Sequence, residues 1–274
     1  MLLSVAPVHA ACLKGDCRDG RGVFLFADQR TYEGEWRNGR REGQGTETYF
    51  DGNRYVGAWR NDQKNGLGEE AYSGGNRYRG EWWDGKAHGK GIFTLSDGTV
   101  YEGEWQAGLK HGLGVETRPD GGRYEGEWQN GFRHGQGLEV FADGGRYSGV
   151  WAEGKPTGEG TYLHANGDRY LGHFRGFRPH GRGTYFFAAG GSFAGQWQNG
   201  VKHGRGEMRF ADGGRYSGNW REGEPAGPGL YLYPNGDRYE GEVKGFVRHG
   251  RGTYFHADGT SLRGLWRDGA FLPQ

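Results

Sequence analysis

Four sets of side chains in this sequence have the types and spacing that chemistry requires. The glutamate pairs Glu33/Glu35, Glu102/Glu104, Glu125/Glu127 and Glu240/Glu242 offer the two carboxylates of a general acid–base site. His88, His111, His134, His180, His203 and His249 offer metal-ligand nitrogens. Cys12 and Cys17 are the only cysteines and stand close enough to bridge a short turn. A fourth set is cationic: Arg41, Lys64, Lys86, Lys110, Arg133, Lys155, Arg178, Lys202 and Arg248, candidates for holding an anion or an acidic partner.

What these residues do depends on the elements that carry them, and those elements repeat. Tyr32, Tyr55, Tyr78, Tyr101, Tyr124, Tyr147, Tyr170, Phe193, Tyr216 and Tyr239 recur every 23 residues without an insertion. A glycine follows two places later, at Gly34 through Gly241, and an aromatic residue four places later, from Trp36 through Trp220, with valine at Val243. Tyr-x-Gly-x-Trp alternates with period two, so its large side chains share one face of a strand. An Asn-Gly or similar turn follows, then a Gly-x-Gly pair such as Gly112 and Gly114, read as the start of a second strand. Asp-Gly or Asn-Gly turns, such as Asp51-Gly52 and Asn166-Gly167, close each unit. Each unit is therefore a β-hairpin, and the array is predicted to be all-β: an elongated repeat sheet of consecutive antiparallel hairpins. Gly176 and Gly245 stand one place early in their units, with Phe177 and Phe246 after them, and those two turns are expected to differ in shape.

Composition agrees. With 59 glycines, 8 prolines and only 33% hydrophobic residues among 274, there is too little aliphatic material for a thick layered core. The aromatic fraction of 15% supplies large buried area per residue instead. Glycine density all but excludes helices, since each interior glycine costs about 1 kcal/mol. A net charge of +1 argues against a nucleic-acid binder.

Placed on such strands, the chemical sets lose most of their promise. The paired glutamates fall on the face opposite the aromatic residues, together with Arg54, Arg77 and Arg123, and read as a solvated charge ladder. Successive histidines stand about 9–10 Å apart by strand spacing, too far to share one ion whose bonds are roughly 2 Å, and read as turn packing against the tryptophan row. Gly-x-Gly lacks the third glycine and the helix of a dinucleotide site. No catalytic, cofactor-binding or metal-binding residue is assigned. The nine cations remain, as a stripe along the edge formed by the first turns, with solvated edge charges as the plainer alternative.

The first ten residues, MLLSVAPVHA, resemble the end of a secretory leader with cleavage after Ala10, although the apolar stretch is short and no cation precedes it. Residues 11–31 continue the repeat register as a degenerate half-unit, and Cys12 and Cys17 flank its turn. A disulfide clamping that hairpin is the preferred reading over two free thiols. Residues 262–274 form a second half-unit at the other end.

The pattern Tyr101-Glu102-Gly103-Glu104-Trp105, Gly108, His111, Gly112, Gly114 resembles the MORN repeat, named for membrane occupation and recognition nexus. The resemblance runs through ten units over residues 32–261, with departures at Glu42, Asn65, Thr157 and Ala226 in place of histidine. Cys12 to Gly22 is similar to the start of secreted bacterial MORN proteins. The resemblance implies a ribbon-like sheet of consecutive antiparallel hairpins. The expected function is a non-enzymatic scaffold that engages a protein partner or extended ligand through its aromatic face or basic turn edge. The alternative is a peripheral membrane protein binding anionic phospholipid headgroups through the turn cations. A periplasmic or secreted location is expected, with a cytoplasmic, membrane-peripheral one as the alternative; self-association is left open.

Overall fold

The computed structural model describes residues 9–273; the leader-like segment up to Val8 lies outside the described residues. The chain is all-β, with 24 strands and no helix among the described residues. Each repeat gives a seven-residue strand and a nine-residue strand, as in Val100–Gln106 and Leu109–Thr117. The chain divides into two compact units, Met1–Arg133 and His134–Gln274, with the boundary inside the strand Phe132–Val140.

In the first unit, Ala11–Gly15 and Gly20–Leu25 form a hairpin closed by a Cys12–Cys17 disulfide, with Cα atoms 6.0 Å apart. From there each strand pairs antiparallel with the next in sequence. In the second unit the same succession ends at Ser261–Arg267, which pairs with Ala270–Leu272. Phe271 of that last strand packs on Trp266 at 5.2 Å and lies close to Gly264, taking the place over the glycine that a leading tyrosine takes elsewhere. It does so because Leu262 replaces the tyrosine in that half-unit.

The aromatic row is the core, and its geometry explains the spacing. Tyr55 meets Trp59 of its own repeat at 5.2 Å and Trp82 of the next at 5.2 Å, both nearly perpendicular. Tyr170 likewise stands between Phe174 at 5.0 Å and Trp197 at 5.3 Å. Edge-to-face pairs of this kind contribute about 0.5–1.5 kcal/mol each beyond area burial. The polar tips are also used. Tyr101 Oη donates to the Glu104 carbonyl at 3.0 Å, and Trp128 Nε1 donates to the carbonyl of Gly114, one repeat back, at 3.3 Å. The tyrosine therefore closes its own hairpin, while the tryptophan ties it to the preceding one.

The two glycines of Gly-x-Gly have separate jobs. Opposite Val100–Gln106, His111 faces Glu104 and Gly114 faces Gly103, so Gly112 and Leu113 form a bulge. Gly112 has φ 57°, in the left-handed region. At Gly114 the need is space: a Cβ there would lie 2.5 Å from Tyr101 Oη, because the tyrosine ring lies flat on the paired glycines. The second strand thus begins at Leu109, before the Gly-x-Gly pair rather than at it.

Ordinary first turns place two residues at positive φ, as at Asn38 (52°) and Gly39 (71°), the type I′ pattern. At Gly176 (62°) and Gly245 (61°) only the glycine is positive, and the following phenylalanine is not. The two turns differ as the sequence predicts. Phe177 then folds over Tyr147 at 6.0 Å and Trp151 at 5.6 Å, and Phe246 over Tyr216 at 6.1 Å and Trp220 at 5.7 Å.

Candidate functional site

The bulge decides where the charged side chains go. Because it shifts register, the residue nine places after the leading tyrosine pairs with the tryptophan and shares its face: Arg41 opposes Trp36, Lys64 opposes Trp59, Lys110 opposes Trp105 and Lys202 opposes Trp197. Lys86, Lys155 and Arg178 come one place earlier, opposite Trp83, Ala152 and Arg175, and therefore lie exposed on the other face. The nine cations do not form one edge stripe.

The cations on the aromatic face lie over the rings. Lys110 Nζ stands 4.6 Å from the Tyr101 ring and 4.6 Å from Trp128 of the next repeat. Lys64 repeats this over Tyr55 at 4.9 Å and Trp82 at 4.7 Å. Arg41 lies 4.2 Å from Trp59, Arg133 4.6 Å from Tyr124, and Arg248 4.4 Å from Trp266. Desolvated contacts of this type are worth about 2 kcal/mol.

A set of carboxylates that sequence reasoning missed completes the layer. Glu47, Glu70 and Glu139 are buried, and Glu116 is half-buried. Lys110 reaches Glu116 at 2.5 Å and Arg133 reaches it at 3.1 Å; Arg41 pairs with Glu47 and Lys64 with Glu70. Desolvation pushes the Glu116 carboxyl up, yet the hydrogen bonds and charges of Lys110 and Arg133 outweigh it and hold the group below the usual carboxylate range. The available signal was a glutamate six residues after Arg41, Lys64, Lys110 and Arg133. Lys202 and Arg248 are the exceptions, because Met208 and Tyr254 stand where the glutamate would be; desolvation lowers the Lys202 ammonium pKa.

The opposite face has structural tasks of its own. Glu35, Glu81 and Glu104 accept hydrogen bonds from the bulge amides of Gln44, Lys90 and Leu113 at 3.2, 3.0 and 3.4 Å. His111 opposes Glu104, so the histidine row lies on this face and not against the tryptophans, a correction with the same cause as the cations. Glu42 and His180, at the histidine position, accept from Asn61 and Asn199 in the turn of the following repeat, at 3.0 and 3.5 Å. Among the described residues no group of three His, Cys, Asp or Glu is placed to hold a metal ion.

These features, a bulged hairpin every 23 residues with a shared aromatic spine, coincide with a known family. The MORN repeat pattern matches ten consecutive segments, from residues 32–54 to residues 239–261. The chain belongs to the MORN repeat family. No curated protein matches it. Among solved structures, the TCP10 domain of Danio rerio CPAP in complex with a STIL peptide is 11% identical, with a TM-score of 0.38 over 93% of this chain and 96% of that one. The SAS-4 TCP domain of Drosophila melanogaster, bound to a proline-rich motif of Ana2, is 11% identical with a TM-score of 0.35 over 57% and 85%. Staphylococcus aureus virginiamycin B lyase is 10% identical with a TM-score of 0.16 over 94% and 88%. Likeness at these scores carries nothing about activity or partners.

The MORN spine is not an open aromatic face. Leading tyrosines are 0–2% exposed, and most tryptophans of the row are under a tenth exposed. Two clefts open on it among the described residues. One cleft of about 570 Å3 lies over Tyr78 and Trp105, and a smaller one of about 320 Å3 lies over Tyr170 and Trp197. In both repeats the cation position holds a non-cationic residue, Ala87 or Pro179, and the next turn offers glycine, Gly108 or Gly200. Where Pro156 and Pro225 occupy that position, Phe177 and Phe246 cover the rings instead.

Proposed function

We propose that this MORN-repeat protein is a non-enzymatic scaffold that binds a protein partner at the clefts over Tyr78/Trp105 and Tyr170/Trp197. The family and the repeat fold fit a binding role. The observation that carries the reading is that aromatic-lined clefts open over the spine where Ala87 and Pro179 stand in place of the ring-covering cation. A largely apolar, aromatic-lined concavity with a few polar groups is what recognition sites are made of. The bonded Cys12–Cys17 pair supports an oxidising compartment such as a bacterial envelope.

The test is selection of a random-peptide library on the intact chain, followed by hydrogen-exchange mapping of the enriched peptides. Protection of the hairpins around Ala87 or Pro179 is expected. Enrichment no different from that on the heat-unfolded chain contradicts the reading. So does sedimentation with anionic vesicles that is lost on charge reversal of Lys86, Lys155 and Arg178, the three turn cations that stay exposed.

A further inference from the structure

We propose that the cleft over Tyr78 and Trp105 is a receptor for a lysine or arginine side chain presented by the protein partner. The inference rests on the scaffold reading and names the chemistry that one cleft selects.

The rest of the spine shows what belongs in the slot. Between a leading tyrosine and the tryptophan of the next repeat, the two repeats that flank this one insert their own cation, with Lys64 and Lys110 both within 5 Å of two ring centres. In the Tyr78 repeat the same position is Ala87, one methyl long, opposite Trp82. The slot has not collapsed in response. Tyr78 and Trp105 are 5.1 Å apart at 83°, against 5.2 Å at 84° for Tyr55 and Trp82 around Lys64. Among the described residues, no cation lies over these two π faces, which receive an ammonium in the Lys64 and Lys110 repeats.

A second observation agrees. Among the described residues Trp105 is the one tryptophan of the row that is not buried, although it makes the usual bond from Nε1 to the Gly91 carbonyl at 3.2 Å. Phe93 and Tyr72 extend the cleft wall.

Charge placement bears on the sign of the guest: Lys86 and Lys110 also line the cleft, and the carboxylate that faces the empty slot decides the case. Arg133 reaches back seventeen residues to Glu116 of the preceding repeat while lying over Tyr124. Seventeen residues before Ala87 stands Glu70, a buried carboxylate on the cleft wall that accepts from Tyr72 Oη at 2.9 Å and pairs with Lys64, as Glu116 pairs with Lys110 before Arg133 joins it. A cation seated over Tyr78 would therefore meet Glu70 as Arg133 meets Glu116. This favours a side chain with N–H donors over a quaternary ammonium headgroup, which has none to offer a carboxylate.

The experiment uses the intact chain labelled at the indole nitrogens and two pentapeptides, Ac-Gly-Gly-Arg-Gly-Gly-NH2 and its citrulline counterpart, neutral but nearly isosteric. The arginine peptide is expected to move the Trp105 and Trp82 indole signals, with at least about tenfold weaker binding by the citrulline peptide. Ala87→Lys, which supplies the residue type found at Lys64 and Lys110, is expected to abolish the response and to bring Trp105 to the protection of its neighbours. Should A87K fail to fold, Ala87→Leu blocks the slot without charge and is expected to abolish the response too. Equal response to both peptides, no response at the solubility limit, an undiminished response in the blocked variant, or the same shifts with phosphatidylcholine vesicles overturns the proposal. Library peptides that map to this cleft without a basic residue would overturn it as well, while leaving the scaffold reading standing.

Discussion

Replacing Gly114 by alanine is expected to destabilise the first unit by about 3 kcal/mol, more than any single surface change. The added Cβ would lie 2.5 Å from Tyr101 Oη and 2.6 Å from Tyr101 Cε2, and the ring has no room to retreat, because Trp105 and Trp128 stand against it at 5.3 and 5.1 Å. Lifting the ring also breaks the bond from its hydroxyl to the Glu104 carbonyl. Gly108→Ala is the informative comparison. It has open space around the new methyl but a φ of 87°, so only backbone strain of about 1–2 kcal/mol is expected there. If the clash with the ring is the cause, Gly114→Ala combined with Tyr101→Ala costs clearly less than the sum of the two single changes. Urea unfolding of the four proteins, followed by tryptophan fluorescence, gives all the terms. Additive costs would show that the glycine serves something other than the ring.

Alkaline unfolding is the second large effect, and its sign follows from the same burial. Desolvation pushes the phenols of Tyr147, Tyr216 and Tyr239 up to about 12, and raises those of Tyr32, Tyr55, Tyr78, Tyr101 and Tyr170 as well. An unfolded tyrosine ionises near pH 10. Above that pH the unfolded chain holds fewer protons than the folded one, so stability, complete below about pH 10, falls as pH rises towards 12. Each unit of difference is worth about 1.4 kcal/mol per tyrosine. Lys202 works the other way: its lowered ammonium pKa makes stability rise with pH in the window below about 10.5. One lysine against a column of tyrosines does not reverse the trend. The melting temperature is therefore expected to hold to about pH 9.5 and then drop steeply, with tyrosinate absorbance appearing in the same step as loss of the sheet. Smooth ionisation centred near pH 10 in a chain that stays folded would contradict a buried row.

The sequence made much of this legible and hid the rest for identifiable reasons. Tyr-x-Gly-x-Trp has period two, so the spine and its face follow from the pattern alone, as do the turns from Asn-Gly, Asp-Gly and the displaced Gly176 and Gly245. The bulge at Gly112 and Leu113 is different, because Gly-x-Gly by itself does not say whether a glycine supplies a positive φ or an empty space. Missing it misplaces every side chain on the N-terminal side of the bulge by one face. For that reason His111 lies with Glu104 rather than with the tryptophans, and Lys110 lies on the rings rather than at a turn edge. The partnership of Pro156 with Phe177 was hidden for another reason: it joins residues of different repeats. Alignment of the units shows each substitution but not the compensation.

The central claim is that the MORN spine is covered by its own side chains at the cation positions and opens where Ala87 and Pro179 replace them. Selective oxidation of tryptophan by N-bromosuccinimide under native conditions tests it directly, with modified residues located by peptide mapping. The chain has ten tryptophans. The account predicts that Trp83, which is 55% exposed on the other face, and Trp105 react first, that the buried row is spared, and that Ala87→Lys protects Trp105 alone. Uniform reaction along Trp36, Trp59, Trp128 and Trp220, or a Trp105 as inert as they are, would contradict it.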